Sequence, residues 1–150
     1  MTQLIYEDVD GLKFLPELEK LFPLHYEELC VTKDYPLLPD WEGYRRLGQA
    51  GMLRTITCRA DEELIGYIVF FIQPHMHYST CITAFEDVYF VRKDYRKGRV
   101  GIKLFQYAEK VLKERGINRI IMHTKLHLDN SRLFEYLGYK NTDKVFTKLL

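Results

Sequence analysis

The spacing of apolar residues changes along the chain between a period of two, typical of strands, and a period near four, typical of helices. In the first third it predicts a short strand near Leu4–Tyr6 and a helix from about Leu15 to Leu29. The segment Tyr35–Pro39 contains two prolines and interrupts helical structure. Asp40 is then placed to cap a second, short helix.

The middle of the chain carries long apolar runs separated by polar residues. Leu53–Arg59 and Leu64–Gln73 predict adjacent strands joined by the polar turn Ala60–Glu63. Pro74–Thr80 predicts a hairpin tip, and Cys81–Val91 predicts the strand that returns from it. We therefore expect an antiparallel meander in this region.

The remaining residues predict a regular exchange of helices and strands. In order, these are a helix over Gly98–Glu114, a short buried strand over Asn118–Thr124, a helix capped by Asp129 or Asn130 and ending at Gly138, and a strand over Tyr139–Leu150. Initial helices, a meander and then strand–helix–strand–helix–strand predict a mixed α/β (α+β) sheet.

Length and charge narrow the classes of function. The 150 residues contain no linker or internal repeat, which predicts one domain over residues 1–150. A formal net charge of +1 provides no global field for nucleic acid or an anionic membrane, so neither partner is expected. The longest apolar run, Leu64–Ile72, is far below the roughly 20 residues that cross a bilayer, and no leader pattern is visible. Three widely spaced cysteines suit a reducing compartment, so we expect a cytoplasmic protein.

One segment, Glu86–Gly101, combines a strand end, a basic glycine-containing loop and the start of an amphipathic helix. Such a turn directs free backbone N–H groups and the positive end of the helix dipole at one point, where glycine lets an anion approach. Arg96, Lys97 and Arg99 add positive side chains. Spacing alone leaves two interpretations equally open, a phosphate-binding loop and a solvated basic turn.

The residues of this segment resemble those of a known family. Glu86–Val91 (Glu-Asp-Val-Tyr-Phe-Val) followed by Tyr95–Gly101 (Tyr-Arg-Lys-Gly-Arg-Val-Gly) resembles the acetyl-CoA motif of the GNAT (Gcn5-related) N-acetyltransferases. Leu133–Tyr139 is similar to that family's later Leu-Tyr-Glu-Lys-Leu-Gly-Phe segment. The order of elements fits over nearly the whole chain. Within the family, the sequence most resembles small acetyltransferases of bacteriophage genomes.

The resemblance implies a GNAT-type fold, in which a mixed, mostly antiparallel central sheet has helices on both faces. It implies transfer of an acetyl group from acetyl-CoA to a primary amine by direct attack on the thioester, without a metal. The acceptor would be a polyamine-like molecule, a protein lysine or N-terminus, or an amine on a modified nucleobase, and a homodimer would be typical. The alternative function is a catalytically inactive GNAT-fold module that binds CoA or a protein partner.

The resemblance also assigns residues to acetyl-CoA. Backbone groups of Tyr89, Phe90 and Val91 would bind the pantetheine arm, and one N–H would stabilise the thioester oxyanion. The other cofactor-binding positions are Arg96, Lys97, Gly98, Arg99, Val100 and Gly101 in the loop, and Asn130 and Phe134 at the last helix.

Two residues depart from the family's pattern. Arg99 stands where the first glycine is usual, with Gly98 one place earlier, so we expect a pyrophosphate loop with the Arg99 side chain directed outwards. Phe134 occupies the position of the tyrosine that many members use as general acid. The remaining candidates for that acid are Ser131, His127 and Tyr139. A thiol is also a tolerable leaving group without any acid.

Two acidic residues precede Tyr89 on the same strand, where family members of similar sequence keep substrate-binding or base carboxylates. We expect Glu86 to be the base that deprotonates the attacking ammonium, directly or through water, with Asp87 as the second candidate. Strand alternation sends their side chains to opposite faces, so only one meets the substrate unless a bulge intervenes. The alternative is that both are surface or salt-bridged groups.

Aromatic and histidine side chains outside the motif are candidates for the acceptor site. Tyr35, Trp41 and Tyr44 fall in an acidic region between the first two helices, which suits a cationic amine, although ordinary packing is the favoured explanation for Trp41. The acidic residues of this region are Glu27, Glu28, Asp34, Asp40 and Glu42. His75 and His77 share one face of the hairpin and are expected to line the substrate site. No cysteine or carboxylate spacing completes a zinc set with them, so no metal is predicted.

Overall fold

The computed structural model describes residues 2–30 and 34–150. Its centre is a five-stranded sheet in the spatial order β1-β2-β3-β4-β5. The strands are β1 Leu4–Asp10, β2 Leu53–Ala60, β3 Glu63–His75, β4 Tyr78–Val91 and β5 Arg119–Ile121. Neighbouring strands are antiparallel except β4 and β5, which run parallel.

Helices pack on the sheet from two sides. They are α1 Gly11–Leu29, α2 Trp41–Gln49, α3 Val100–Glu114 and α4 Ser131–Tyr136, and a 3-10 turn, Lys93–Tyr95, joins β4 to α3. Within the ranges that the structure describes, no helix is long and apolar enough to span a membrane.

The central strand β3 explains why both faces of the sheet need a helical layer. Its middle is apolar at every position, so neither face can be left in water. Tyr67 and Val69 belong to the core beneath α1 and α2, whereas Ile68 and Phe70 belong to the core beneath α3 and α4. This arrangement confirms the predicted α/β (α+β) fold class, a mostly antiparallel sheet with helices on both faces.

The two N-terminal helices begin at aspartate caps. The Asp40 carboxylate accepts a hydrogen bond from the Gly43 N–H at 2.8 Å, which confirms the predicted cap of α2. The prediction for α1 began too late, because Asp10 already caps the helix by accepting from the Leu12 N–H at 2.8 Å. Leu12 therefore belongs to the first turn of α1, whose N–H groups have no partner within the helix.

The predicted strand over Tyr139–Leu150 is wrong. No residue of this tail belongs to a strand, and Val145 and Phe146 expose 72% and 89% of their surface. Alternating apolar residues favour a strand only where its backbone pairs with a neighbouring strand, and this segment pairs with no strand of the described chain.

Other element boundaries move by a few residues. β5 is shorter than the predicted Asn118–Thr124 and only half-buried. It pairs with β4 over three residues, and β4 continues beyond it without a partner on that side. The hairpin tip shrinks to Met76 and His77, since β3 and β4 stay paired almost to their ends. At α4 the cap comes from Asp129, whose Oδ1 accepts from the Ser131 N–H at 2.9 Å, whereas the Asn130 side chain makes no capping bond.

Candidate active site

A cavity of about 740 Å³ lies beside the second half of β4. β5 pairs with β4 only along Thr83–Phe85, so no strand of the described chain pairs with Glu86–Val91 on that side. Backbone N–H and C=O groups of this half-strand are therefore available to a ligand. The start of α3, the end of α1 and residues 123–130 complete the walls.

About half of the site residues that the sequence predicts line this cavity. Lining it are Glu86, Asp87, Tyr89, Phe90, Val91, Arg96, Gly98, Gly101 and Asn130. Outside its lining are Lys97, Arg99, Val100, Ser131, Phe134, Tyr35, Trp41, His75 and His77.

A β-bulge brings two carboxylates into the cavity. Across the ladder between β3 and β4, Val69 faces Val88 and Phe70 faces Glu86, so Asp87 is an extra residue without a partner. The bulge breaks the alternation that would send Glu86 and Asp87 to opposite faces, and both line the cavity. The sequence left this point open, because a bulge depends on how the strand pairs with its neighbour.

The Glu86 carboxylate is buried against His123. Only 7% of the Glu86 side chain is exposed, compared with 53% for His123. Its Oε2 accepts a hydrogen bond from the His123 backbone N–H at 3.1 Å and lies 3.3 Å from the His123 Nδ1. Burial raises the pKa of Glu86, and the hydrogen bond from the His123 backbone opposes that rise. Such a carboxylate is suited to take up a proton.

The Asp87 carboxylate is held by a tyrosine from α2. The Tyr44 hydroxyl donates to Asp87 Oδ2 at 2.5 Å. Burial raises the pKa of Asp87, and the hydrogen bond from Tyr44 opposes that rise. The Tyr44 ring lies 5.4 Å from that of Trp41 and 5.8 Å from that of Phe71. Trp41 thus packs behind Tyr44 and does not line the cavity.

The start of α3 forms an open cradle. Arg99, at the N-cap, makes no capping hydrogen bond, so the N–H groups of the first turn have no side-chain partner there. A Cβ added at Gly98 or Gly101 would meet no atom within 4 Å, which leaves room for a ligand at the backbone. Arg99 has φ −92° and ψ 8°, which an L-residue adopts without strain, and its side chain is exposed. This explains how arginine replaces glycine at that position.

Arg96 joins the loop to two other walls of the cavity. Its Nε donates to the Val91 carbonyl at 2.6 Å, and its guanidinium forms an ion pair with Glu28 at the end of α1. The guanidinium also lies 5.4 Å from the centre of the Phe90 ring, which stacks on His25 at 3.6 Å. Burial lowers the pKa of His25 to about 4, so this imidazole is neutral at pH 7.

Tyr89 lines the cavity from β4 and is fixed by α3 and α4. Its ring meets the edges of Phe105 at 5.5 Å and Phe134 at 5.9 Å. The Asn130 Nδ2 donates to the Tyr89 hydroxyl oxygen at 2.9 Å. Phe134 is buried in the core and supports Tyr89 without reaching the cavity.

Several sequence candidates lie elsewhere. The Ser131 hydroxyl donates to Asp129 Oδ1 at 2.5 Å. Tyr35 is 67% exposed, and His75 and His77 pack together at the hairpin tip with ring centres 5.4 Å apart. Among residues 2–30 and 34–150, no three His, Cys, Asp or Glu side chains gather as metal ligands.

The sequence places Tyr44 and Glu28 in the expected acceptor region without giving either a partner, and it does not single out His123 or Lys125 as site residues. Glu28 and Lys125 line the cavity, and His123 and Tyr44 hold the two carboxylates. No local pattern marks them, because each reaches the site from an element distant in sequence. Their common signal is a polar side chain close to a helix end or in a loop, which is far too frequent to be informative.

The match to known families covers the whole region just described. Residues 15–139 match the family described as Acetyltransferase (GNAT) family, which is well over half of the chain. The chain belongs to the GNAT acetyltransferase family. No curated protein matches it.

Solved GNAT structures share the fold at low sequence identity. An aminoglycoside acetyltransferase from an uncultured soil metagenomic sample, in complex with sisomicin, is 15% identical with a TM-score of 0.75, over 98% of this chain and 96% of that one. A predicted acetyltransferase with acetyl-CoA from Clostridium acetobutylicum is 13% identical with a TM-score of 0.74, over 98% and 96%. A ribosomal-protein-alanine N-acetyltransferase from Brucella melitensis biovar Abortus 2308 is 15% identical with a TM-score of 0.71, over 99% of both chains.

GNAT enzymes are acetyl-CoA-dependent, and the cavity of this GNAT chain fits that ligand. The uncapped first turn of α3 and the open surroundings of Gly98 and Gly101 suit a pyrophosphate. Arg96 adds a cation at the same end. The unpaired half of β4 supplies backbone partners for an extended amide-containing arm.

Proposed function

We propose that the protein is an N-acetyltransferase that moves the acetyl group of acetyl-CoA to a primary amine by direct attack on the thioester. The observation that carries this proposal is the bulge at Asp87, which sets two buried carboxylates in one cavity with the open cradle of α3. A site for the phosphates of the acetyl donor therefore lies next to an acidic site for an ammonium, along one half of β4.

The cradle of α3, together with Arg96, holds the pyrophosphate of acetyl-CoA. Backbone groups of Tyr89, Phe90 and Val91 bind the pantetheine arm, and a β4 N–H polarises the thioester carbonyl. Acetyl-CoA supplies the activated acetyl group. Lys97 and Arg99 are exposed at the mouth of the loop, where they attract the phosphates without contacting them in the cavity.

Glu86 acts as the base. An ammonium has no lone pair, so a proton must leave the acceptor before its nitrogen can attack. Burial makes Glu86 a better proton acceptor than an exposed carboxylate, because it raises the pKa. Asp87, fixed by Tyr44, binds the ammonium beside Glu86 and orients it.

The acceptor is a cationic amine, either a small molecule or a protein residue. Two acidic side chains in the cavity and the aromatic ring of Tyr44 beside Asp87 favour positive charge. The soil enzyme named above acts on aminoglycosides and the Brucella enzyme on ribosomal-protein alanine, which are amines of these two kinds. Nucleic acid is not proposed as a partner, given the net charge of +1.

Acetyl-CoA is expected to stabilise the protein and to be consumed in the presence of amines. Saturation at about 100 times the dissociation constant adds about 2.7 kcal/mol to the free energy of unfolding, which raises the melting midpoint by several degrees. Thermal melts with acetyl-CoA, CoA and ATP measure this, and release of free thiol with a panel of polyamines, aminoglycosides and lysine peptides measures transfer.

The Gly101→Asp variant serves as the matched control for that experiment. Its side chain has open space, so the melting midpoint without ligand should not change. A carboxylate facing the phosphates should abolish the shift with acetyl-CoA. An acetyl-CoA shift without thiol release from any amine would instead support the alternative function, a CoA-binding GNAT-fold module, which Phe134 and Arg99 favour.

We also propose a homodimer formed through the C-terminal tail, residues 139–150. Val145, Phe146 and Leu150 are exposed there, while the outer edge of β5 has no neighbouring strand in the described chain. An exposed apolar segment and an open strand edge are complementary, because pairing satisfies the backbone of both.

Light scattering during size exclusion should give a dimer mass for the wild type and a monomer mass for Phe146→Asp. The matched control is Leu38→Asp, which changes an equally exposed apolar residue outside the tail and should stay dimeric. A wild-type monomer at every concentration would rule out the tail-mediated dimer.

Two further parts of the proposal concern origin and location. The cytoplasmic location rests on the odd number and wide spacing of the three cysteines in the sequence, which suit a reducing compartment. The origin in a bacteriophage rests on sequence resemblance, and the genes that flank the coding sequence would test it.

A further inference from the structure

Tyr89 lines the cavity and its side chain is a phenol. Of the described residues that line the cavity, it alone has one. Its ring is clamped by Phe105 and Phe134, so the hydroxyl has a defined position beside the cavity wall. Tyr89 also belongs to the half-strand whose backbone faces the ligand site.

The hydrogen bonds around this phenol hold its oxygen beside Asn130 and Thr124. The Asn130 Nδ2 donates to the Tyr89 oxygen, at 2.9 Å, and the Thr124 hydroxyl lies beside the same oxygen. Thr124 in turn donates to the Leu128 carbonyl at 3.2 Å. An oxygen that accepts from a neighbouring amide can still donate its own hydrogen elsewhere, and the same amide stabilises the phenolate that remains.

The other candidate proton donors each interact with a neighbouring residue. The Ser131 hydroxyl is committed to Asp129, and the His127 Nε2 lies 3.4 Å from the Glu28 carbonyl oxygen. Tyr139 packs against Phe134 and interacts with Glu109. None of the three lines the cavity.

We propose that Tyr89 is the catalytic residue that gives a proton to the thiolate of CoA when the carbon–sulfur bond breaks. The inference rests on the proposed acetyl transfer. Two protons leave the acceptor nitrogen as its bond to the acetyl carbon forms. Glu86 takes the first, and both pass to solvent. The sulfur receives its proton from Tyr89, and the phenolate regains one from water, so that one proton is released per turnover.

The surroundings of Tyr89 suit a donor. Burial raises the pKa of Tyr89, and the negative charges of Glu86 and Asp129 add to the rise, while the hydrogen bonds with Asn130 and Thr124 oppose it. A raised pKa keeps the Tyr89 phenol protonated at neutral pH, as a proton donor must be. Activity should therefore fall at alkaline pH as the phenol loses its proton.

The Tyr89→Phe variant tests the proposal with two readouts. Its kcat should fall about a hundredfold, the lower end of what proton transfer contributes, and the alkaline fall of activity should disappear. Independently of turnover, the thiol of bound CoA, followed by thiolate absorbance, should ionise about one pH unit higher, because a hydrogen bond to the thiolate is lost. The control is Tyr107→Phe, a half-buried tyrosine of α3 that packs on Tyr6 and should change neither readout.

The outcomes separate this inference from the proposed function. If the wild type shows no turnover but Tyr89→Phe still shifts the ionisation of the bound CoA thiol, the proposed transferase activity is overturned. The contact between Tyr89 and the CoA thiol would be retained in that case. Normal turnover with no change of either readout would overturn Tyr89 as donor. If Tyr89→Phe does not fold, Asn130→Ala replaces it: it keeps the phenol but removes the phenolate partner, and kcat should fall about tenfold. An unchanged kcat there would contradict the proposal.

Discussion

Replacing Glu86 by Gln is expected to lower kcat by about a hundredfold to ten-thousandfold while acetyl-CoA binding is retained. Glutamine keeps the shape of the side chain and can still accept from the His123 backbone N–H, so the cavity should keep its form. What disappears is the group that takes the proton of the acceptor. Steady-state release of free CoA thiol measures the loss, and the melting shift with acetyl-CoA measures binding.

The pH dependence adds a qualitative signature. A base works in its deprotonated form, so wild-type activity should rise with pH as Glu86 loses its proton. Because burial raises the pKa of Glu86, this rise should lie above the range of an exposed glutamate. Glu86→Gln should lack the acidic limb altogether.

Glu135→Gln is the matched control, since Glu135 is an exposed glutamate of α4 outside the cavity. It should leave the rate and the pH profile unchanged. A Glu86→Gln enzyme with normal rate and an intact acidic limb would exclude Glu86 as the base, and Asp87→Asn would then be the variant to examine.

Replacing Leu104 by Ala is expected to lower the free energy of unfolding by about 2–5 kcal/mol. Leu104 is fully buried on α3 in the core shared with Ile68, Phe70 and Phe105. The Leu104 side chain also lies close to the β3 backbone at Gly66. A Cβ added at that glycine would be 3.3 Å from Leu104 Cδ2. The cavity left by alanine is therefore bordered by backbone and cannot close easily.

Leu24→Ala is the matched control, because Leu24 is also helical but 70% exposed. It should change stability by less than about 0.5 kcal/mol. Urea unfolding of both variants measures the difference. Equal effects would mean that α3 does not pack on the sheet as the structure shows.

Local patterns determined most of the secondary structure. The continuous apolar run of β3 predicted a strand, and Asp40 before Trp41 predicted a helix cap. These predictions were right because periodicity and capping involve neighbours in the chain. The strand predicted over Tyr139–Leu150 rested on the same kind of pattern and was wrong, since a strand also needs backbone pairing and this segment pairs with no strand of the described chain.

The features of the candidate site likewise fall into those that the sequence predicted and those that only the tertiary structure decided. The sequence alone determined which segment carries the loop and the carboxylates, because Glu86–Gly101 is continuous. Only the tertiary structure decided that Glu86 and Asp87 share a cavity, since the bulge arises from pairing with β3. The partners that hold them lie 37 and 43 residues away, at His123 and Tyr44. A contact over such separations is decided by packing, which leaves no local period in the sequence to read.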